Sequence, residues 1–113
     1  MNEENQDSDS IKAYRQGDVS ILTAVKIPLA AQRITGEPIL ARGEVTGHAH
    51  RITEGKVLLY KLATGLMYLR VLSDFAKLYH EEHEEIILPT GDYEVRQQKE
   101  FDWLSEERRY VRD

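Results

Sequence analysis

The sequence predicts a mostly β fold: a small antiparallel β-barrel or sandwich, with one short helix at most, at the C-terminus. Short apolar or alternating runs recur along the chain. Turn signals, mostly built on glycine, separate them. Little of the chain carries a helical period, and its length suits one domain with one modest core.

The opening ten residues, MNEENQDSDS, are polar and acidic and cannot offset the entropy of ordering. Residues 1–12 are therefore expected to form a flexible acidic tail, and residues 13–113 a single β-rich domain. In the YRQGD segment, Arg15, Gln16 and Asp18 surround Gly17 and read as a turn. That turn leads into DVSILTAVKI, the first expected strand. Residues 24–37 show no clear period and include a loop at Thr35-Gly36. EPILARGEV is the second strand, with Pro38 at its start, where a missing N–H does little harm. HRITEG closes in a turn at Glu54-Gly55. VLLYKLA and LMYLRVL flank Thr64-Gly65 as a hairpin. Both faces of that second arm are apolar, as in a central strand or a subunit contact. AKLYH and EEIILP follow as separate strands, and Thr90-Gly91-Asp92 turns the chain into YEVRQQKEF. The last stretch, DWLSEERRYVRD, reads as a helical turn capped by Asp102 or Ser105, or as an edge strand. Trp103 is expected to anchor it.

Composition narrows the function. The 113 residues carry 20 acidic and 15 basic side chains, a net charge of −5. That balance argues against tracking long nucleic acid, whereas a small anion needs only a local cluster of arginines. No cysteine is present, so disulfides and thiolate zinc sites are excluded. No apolar run approaches a membrane span and no basic-then-apolar leader is visible. The expected location is the cytoplasm.

All four histidines fall in two tight pairs, His48/His50 in GEVTGHAHR and His80/His83 in HEEH. On a strand, His48 and His50 project from one face with Ala49 opposite. His80 and His83 suit the two ends of a tight turn made by Glu81-Glu82, where they would meet across a hairpin. Ordinary surface histidines are the bland reading. A second reading is a divalent transition-metal site completed by Glu54, Glu81 or Glu84. A third is acid–base catalysis without a cofactor, because imidazole titrates near working pH. RNA suits that chemistry: its 2′-hydroxyl attacks the adjacent phosphorus and leaves a 2′,3′-cyclic phosphate. Arg42 and Arg51 flank the His-Ala-His segment as candidate phosphate ligands, and Arg15 is a further candidate. Arg42 shares the parity of His48 and His50, and Arg51 does not. Tyr79 reads as packing, with orientation of a histidine as its alternative role.

Two resemblances bear on the choice. GEVTGHAHRITEG with LPTGDY resembles a cupin, which implies a metal held by His48, His50, Glu54 and His83. YRQGDV, ARGEVTGHAHR, HEEHEEIILPTGDYEV and RQQKEF together resemble a family of small bacterial and phage proteins associated with the ring nucleases of type III CRISPR systems. That likeness covers most of the chain. It implies a phosphodiesterase that opens cyclic oligoadenylates, in antiviral signalling, with His48, His50, His80 and His83 in the matching motifs. The leading expectation is therefore a cofactor-free phosphodiesterase acting on a small cyclic oligonucleotide. A homodimer is expected, because a two-fold axis would match a ring's symmetry. The alternatives are a cupin-like metal protein and a non-catalytic nucleotide-binding module.

Overall fold

The computed structural model describes residues 12–23, 26–43 and 47–98. The expected acidic tail, the C-terminal helix or strand, Trp103 and Glu44 to Thr46 lie outside these residues. Strands make up 68% of the described residues, and none is helical. Eight strands form one antiparallel sheet: β1 (Ala13–Gln16), β2 (Val19–Thr23), β3 (Gln32–Ile34), β4 (Ile39–Arg42), β5 (Ala49–Glu54), β6 (Val57–Lys61), β7 (Met67–His80) and β8 (His83–Gln97). The expectation of a mostly β, barrel-like or sandwich-like fold holds.

The order across the sheet is β1-β2-β8-β7-β5-β4, with β6 joining β7 and β3 joining β6. β7 is central. Its first half pairs with β6 from Met67 to Val71, and its second half with β5 from Lys77 to Tyr79. Leu69, Val71, Ala76 and Leu78 of β7 are almost fully buried, whereas Leu72, on the arm's other face, is 52% exposed. The Thr64-Gly65 hairpin stands between β6 and β7 as expected.

Several local expectations change. AKLYH is not a separate strand but the continuation of β7, and Thr90-Gly91-Asp92 is not a turn. β8 runs through it, and the β7–β8 ladder shifts register between Val71 and Phe75 instead. An irregularity of this kind bends a strand without ending it, and a bent, continuous pair reads in sequence like two short ones. The YRQ segment is β1, joined to β2 by the two-residue turn Gly17-Asp18, with Gly17 at φ 59°. The first expected strand is shorter than DVSILTAVKI, since β2 ends at Thr23.

The sheet curls into a half-barrel, and polar side chains close it. Gln97 at the end of β8 donates to the Arg42 carbonyl of β4 and to Asp18 in the first turn. Gln16, at the end of β1, donates to the carbonyls of Leu78 and Glu84 near the tip of the β7–β8 hairpin. The β1–β2 turn, the start of β5 and the β7–β8 tip therefore meet at one end of the molecule. Every histidine in the sequence lies there.

Candidate functional site

The four imidazoles converge because three strands present them at one level. Arg51 pairs with Tyr79 and Ile52 with Leu78 across β5 and β7. Continuing that register puts His50 level with His80, and their ring centres are 4.3 Å apart. His80 pairs with His83 across the two-residue Glu81-Glu82 turn, with ring centres 4.7 Å apart. Cross-strand pairs share a face of a sheet, so the row runs His50, His80, His83. His48, just ahead of β5, stands edge-on to His80 at 5.8 Å. His80 is the hub.

Exposure divides the set. His50 is 1% exposed and His80 5%, whereas the side chain of His48 is 24% exposed and His83 is an exposed residue. Hydrogen bonds divide it the same way. The buried amide of Gln16 gives both N–H groups to carbonyls, at 2.9 and 2.8 Å, so its oxygen must face His50 Nδ1 at 2.8 Å. His50 therefore carries a proton on Nδ1. Its Nε2 faces Asp18 Oδ1 at 3.3 Å, and a hydrogen bond there needs the second ring proton. Both nitrogens of His50 are thus engaged by the protein. His80 is fixed differently: its Nδ1 accepts the backbone N–H of Glu82 at 3.0 Å. The neutral ring must then carry its proton on Nε2.

Burial, followed by the charge of neighbouring His80, pushes His50 below the ordinary histidine pKa, although Asp18 pulls the other way. Burial and then His83 push His80 down in the same direction. A second imidazolium a few ångströms away in a desolvated site disfavours the charged form.

The carboxylates at the tip act as clamps. Glu81 accepts the Ala49 N–H at 3.1 Å and an Arg51 N–H at 3.0 Å, which fastens the β7–β8 tip to β5. Burial alone would raise the Glu81 pKa, but these backbone hydrogen bonds and Arg51 outweigh it, and the pKa is lowered. Glu82 lies 3.5 Å from His48 Nδ1. Gly17 forms a platform: a Cβ there would lie 2.5 Å from His83 Nε2, so only glycine lets that ring rest against the turn. The fit at Gly43 is looser, where a Cβ would lie 3.2 Å from His48 Cβ and 3.3 Å from His80 Nε2.

The candidate arginines fare differently. Arg42 pairs with Ala49, and Ala41 pairs with His50. Arg42 therefore lies on the opposite face from His50, because counting parity fails where the chain reverses between β4 and β5. Arg51 is tied to Glu81. Arg15 donates from Nε to the Gly17 carbonyl at 3.3 Å, which puts its guanidinium beside the His83 platform. Tyr79 is partly exposed opposite Arg51.

The cupin-like metal set is not brought together. The cupin-like set needs Glu54, but Glu54 is paired with Lys77 at 3.3 Å, four residues along β5 from His50. At the strand rise of roughly 3.3 Å per residue, that is about 13 Å away. Among the described residues, His48, His80 and Glu81 each offer a donor atom within 4.8 Å of the others. Both Glu81 oxygens are already engaged, however, and His80 carries its proton on Nε2, the nitrogen a metal would need.

Gln16, Gly17, Asp18 and Glu82 do most to shape the site, and local periodicity gives none of them a role. The sequence signal for the first three was a polar Gln-Gly-Asp at a strand junction. Their partners lie 34 to 79 residues away.

Fold and site together define a small curled antiparallel β protein with an imidazole cluster at the mouth of a half-barrel. Residues 15–98 match the model of a family described as "Domain of unknown function (DUF8820)", and the chain belongs to that family. No curated protein and no solved structure matches it.

Proposed function

We propose that this protein is a phosphodiesterase that opens small cyclic oligoadenylates by imidazole acid–base chemistry. One observation carries the reading: all four histidines, from two distant segments, meet around His80 at a single mouth. Neutral imidazoles in a partly desolvated site suit proton transfer near neutral pH. The substrate supplies its own nucleophile, the 2′-hydroxyl, so the protein needs only to move protons and steady the phosphate. Arg15, bonded to the carbonyl of Gly17 on which His83 rests, is the cation proposed for that phosphate. A ring is compact enough to reach the mouth without a long basic groove, which an acidic chain lacks. The motif likeness to ring nucleases supplies the choice of adenylate.

The test is incubation with cyclic tetra-adenylate in excess EDTA. The expected products are linear fragments ending in a 2′,3′-cyclic phosphate and a 5′-hydroxyl. A ring left intact by the wild-type protein, or cleavage that stops with EDTA and returns with metal, overturns the reading. Sedimentation of the full chain tests the accompanying proposal of a homodimer.

A further inference from the structure

We infer that the four imidazoles form two functional pairs: an inner pair that keeps its protons, His50 and His80, and an outer pair that exchanges them, His48 and His83. The chemistry rests on the phosphodiesterase reading, but the division itself rests on hydrogen bonding and exposure.

The inner pair offers no basic nitrogen to a substrate. His50 gives Nδ1–H to Gln16 and faces Asp18 with Nε2. Gln16 cannot turn over, because both of its N–H groups are held by the Leu78 and Glu84 carbonyls. His50 is a positioning residue, seated under the ring of His80. His80 spends its one lone pair on the Glu82 N–H and presents Nε2–H. A neutral imidazole in this state donates a hydrogen bond and does not accept a proton. His48, His50, His83, Glu81 and Glu82 are the titratable groups that act on it. His83 and His48 oppose its protonation, Glu81 and Glu82 favour it, and His50 packs against its ring at 4.3 Å. The backbone N–H pointing at Nδ1 adds to the opposition.

The outer pair is free. His48, 24% exposed, has the Glu82 carboxylate 3.5 Å from Nδ1; a proton held on that side puts the lone pair on Nε2, the arrangement of a carboxylate-oriented general base. His83 makes no hydrogen bond through either nitrogen among the described residues, and it rests on Gly17. His80 touches both neighbours, at 5.8 and 4.7 Å between ring centres, and so lies between them. In-line displacement needs that order: a base at the attacking oxygen, an acid at the leaving oxygen, and a donor to the phosphoryl oxygens between them.

His48 Nε2 takes the 2′-hydroxyl proton as the O2′–P bond forms. The P–O5′ bond breaks, and O5′ takes the proton of the His83 imidazolium. His80 Nε2–H holds a non-bridging oxygen throughout and is unchanged. The products are the 2′,3′-cyclic phosphate and a 5′-hydroxyl. Exchange with water returns the proton from His48 and restores the one on His83.

The experiment uses the full-length, 15N-labelled wild-type protein and long-range proton–nitrogen correlation of its imidazoles between about pH 5 and 8, where free histidine titrates. His80 is expected as the Nε2–H tautomer at neutral pH, with its Nδ1 held by the Glu82 N–H. His80 as the Nδ1–H tautomer overturns the division. In turnover, His80→Gln keeps an N–H donor and should lose less than His83→Gln. His83→Gln should lose on the order of 10²–10⁴-fold and one limb of the pH profile. The reverse pattern also overturns the division. A wild-type protein that leaves the ring intact sinks the phosphodiesterase reading, while the spectra still decide the pairing.

Discussion

Replacing Gln16 with leucine isolates the contact that joins the first hairpin to the histidine row. Leucine is close to glutamine in volume, so Gln16→Leu opens little cavity and changes mainly polarity. The amide makes two buried contacts, at 2.9 Å to Leu78 O and 2.8 Å to His50 Nδ1, and a partly buried one at 2.8 Å to Glu84 O. Its loss leaves two carbonyls and an imidazole N–H without partners, at about 1–3 kcal/mol for each buried polar group. The carbonyls lie near the end of the sheet and can turn partly toward water, so the low end of that range applies to them. Burying leucine offsets a further part. The net expectation is a loss of about 2–4 kcal/mol, a large share of the stability of a domain this size. Urea titration should show the midpoint falling with the slope unchanged. A loss below about 0.5 kcal/mol, within the usual range for surface changes, would refute the reasoning. Gln16→Glu should be no better at neutral pH, because it sets an oxygen against both carbonyls.

Other consequences follow from single contacts. Gly17→Ala combines a left-handed backbone position with a Cβ 2.5 Å from His83 Nε2. It should cost about 1–2 kcal/mol for the backbone and lower turnover by displacing His83, with no further turnover loss in a His83→Ala background. Gly55→Ala sets a Cβ 2.5 Å from the Phe75 carbonyl at φ 107°, so it should lower the thermal midpoint without changing the imidazole spectra of the folded protein. His50 and His80 have pKa values below 6.5 in the folded state, so the unfolded chain binds more protons as the pH falls through 6.5. Their contribution is therefore fully present above pH 6.5 and lost as the pH falls below it; the thermal midpoint should fall as the pH drops below 6.5, and a flat profile there would contradict the burial of both rings.

Much of the fold was legible because strand alternation and glycine turns are local. The Glu54-Gly55 and Thr64-Gly65 turns, the strand after Pro38 and the pairing of His80 with His83 across Glu81-Glu82 all follow from neighbours in sequence. What local pattern could not supply was continuity and face. β7 and β8 each bend in mid-strand without stopping, so each read as two strands. Arg42 kept its parity on paper and lost it in space, because the chain turns between it and His48. The histidine pairs announced a site, since nothing else in the sequence holds this residue. Their inequality was hidden. It is written by Gln16 and Asp18, which reach His50 only after the half-barrel curls, and by the backbone N–H of Glu82, which no side-chain pattern reports.

The most direct measurement is a crystal structure with cyclic tetra-adenylate whose 2′-oxygens are methylated, so that the ring can bind but cannot attack. The account predicts a phosphate seated between His48 and His83, with His80 Nε2 in hydrogen-bonding reach of a non-bridging oxygen and His50 untouched beneath. A ring bound elsewhere, for instance in the hollow lined by Leu40, Lys61, Met67 and Arg96, would contradict it, as would an imidazole mouth filled by a coordinated metal ion.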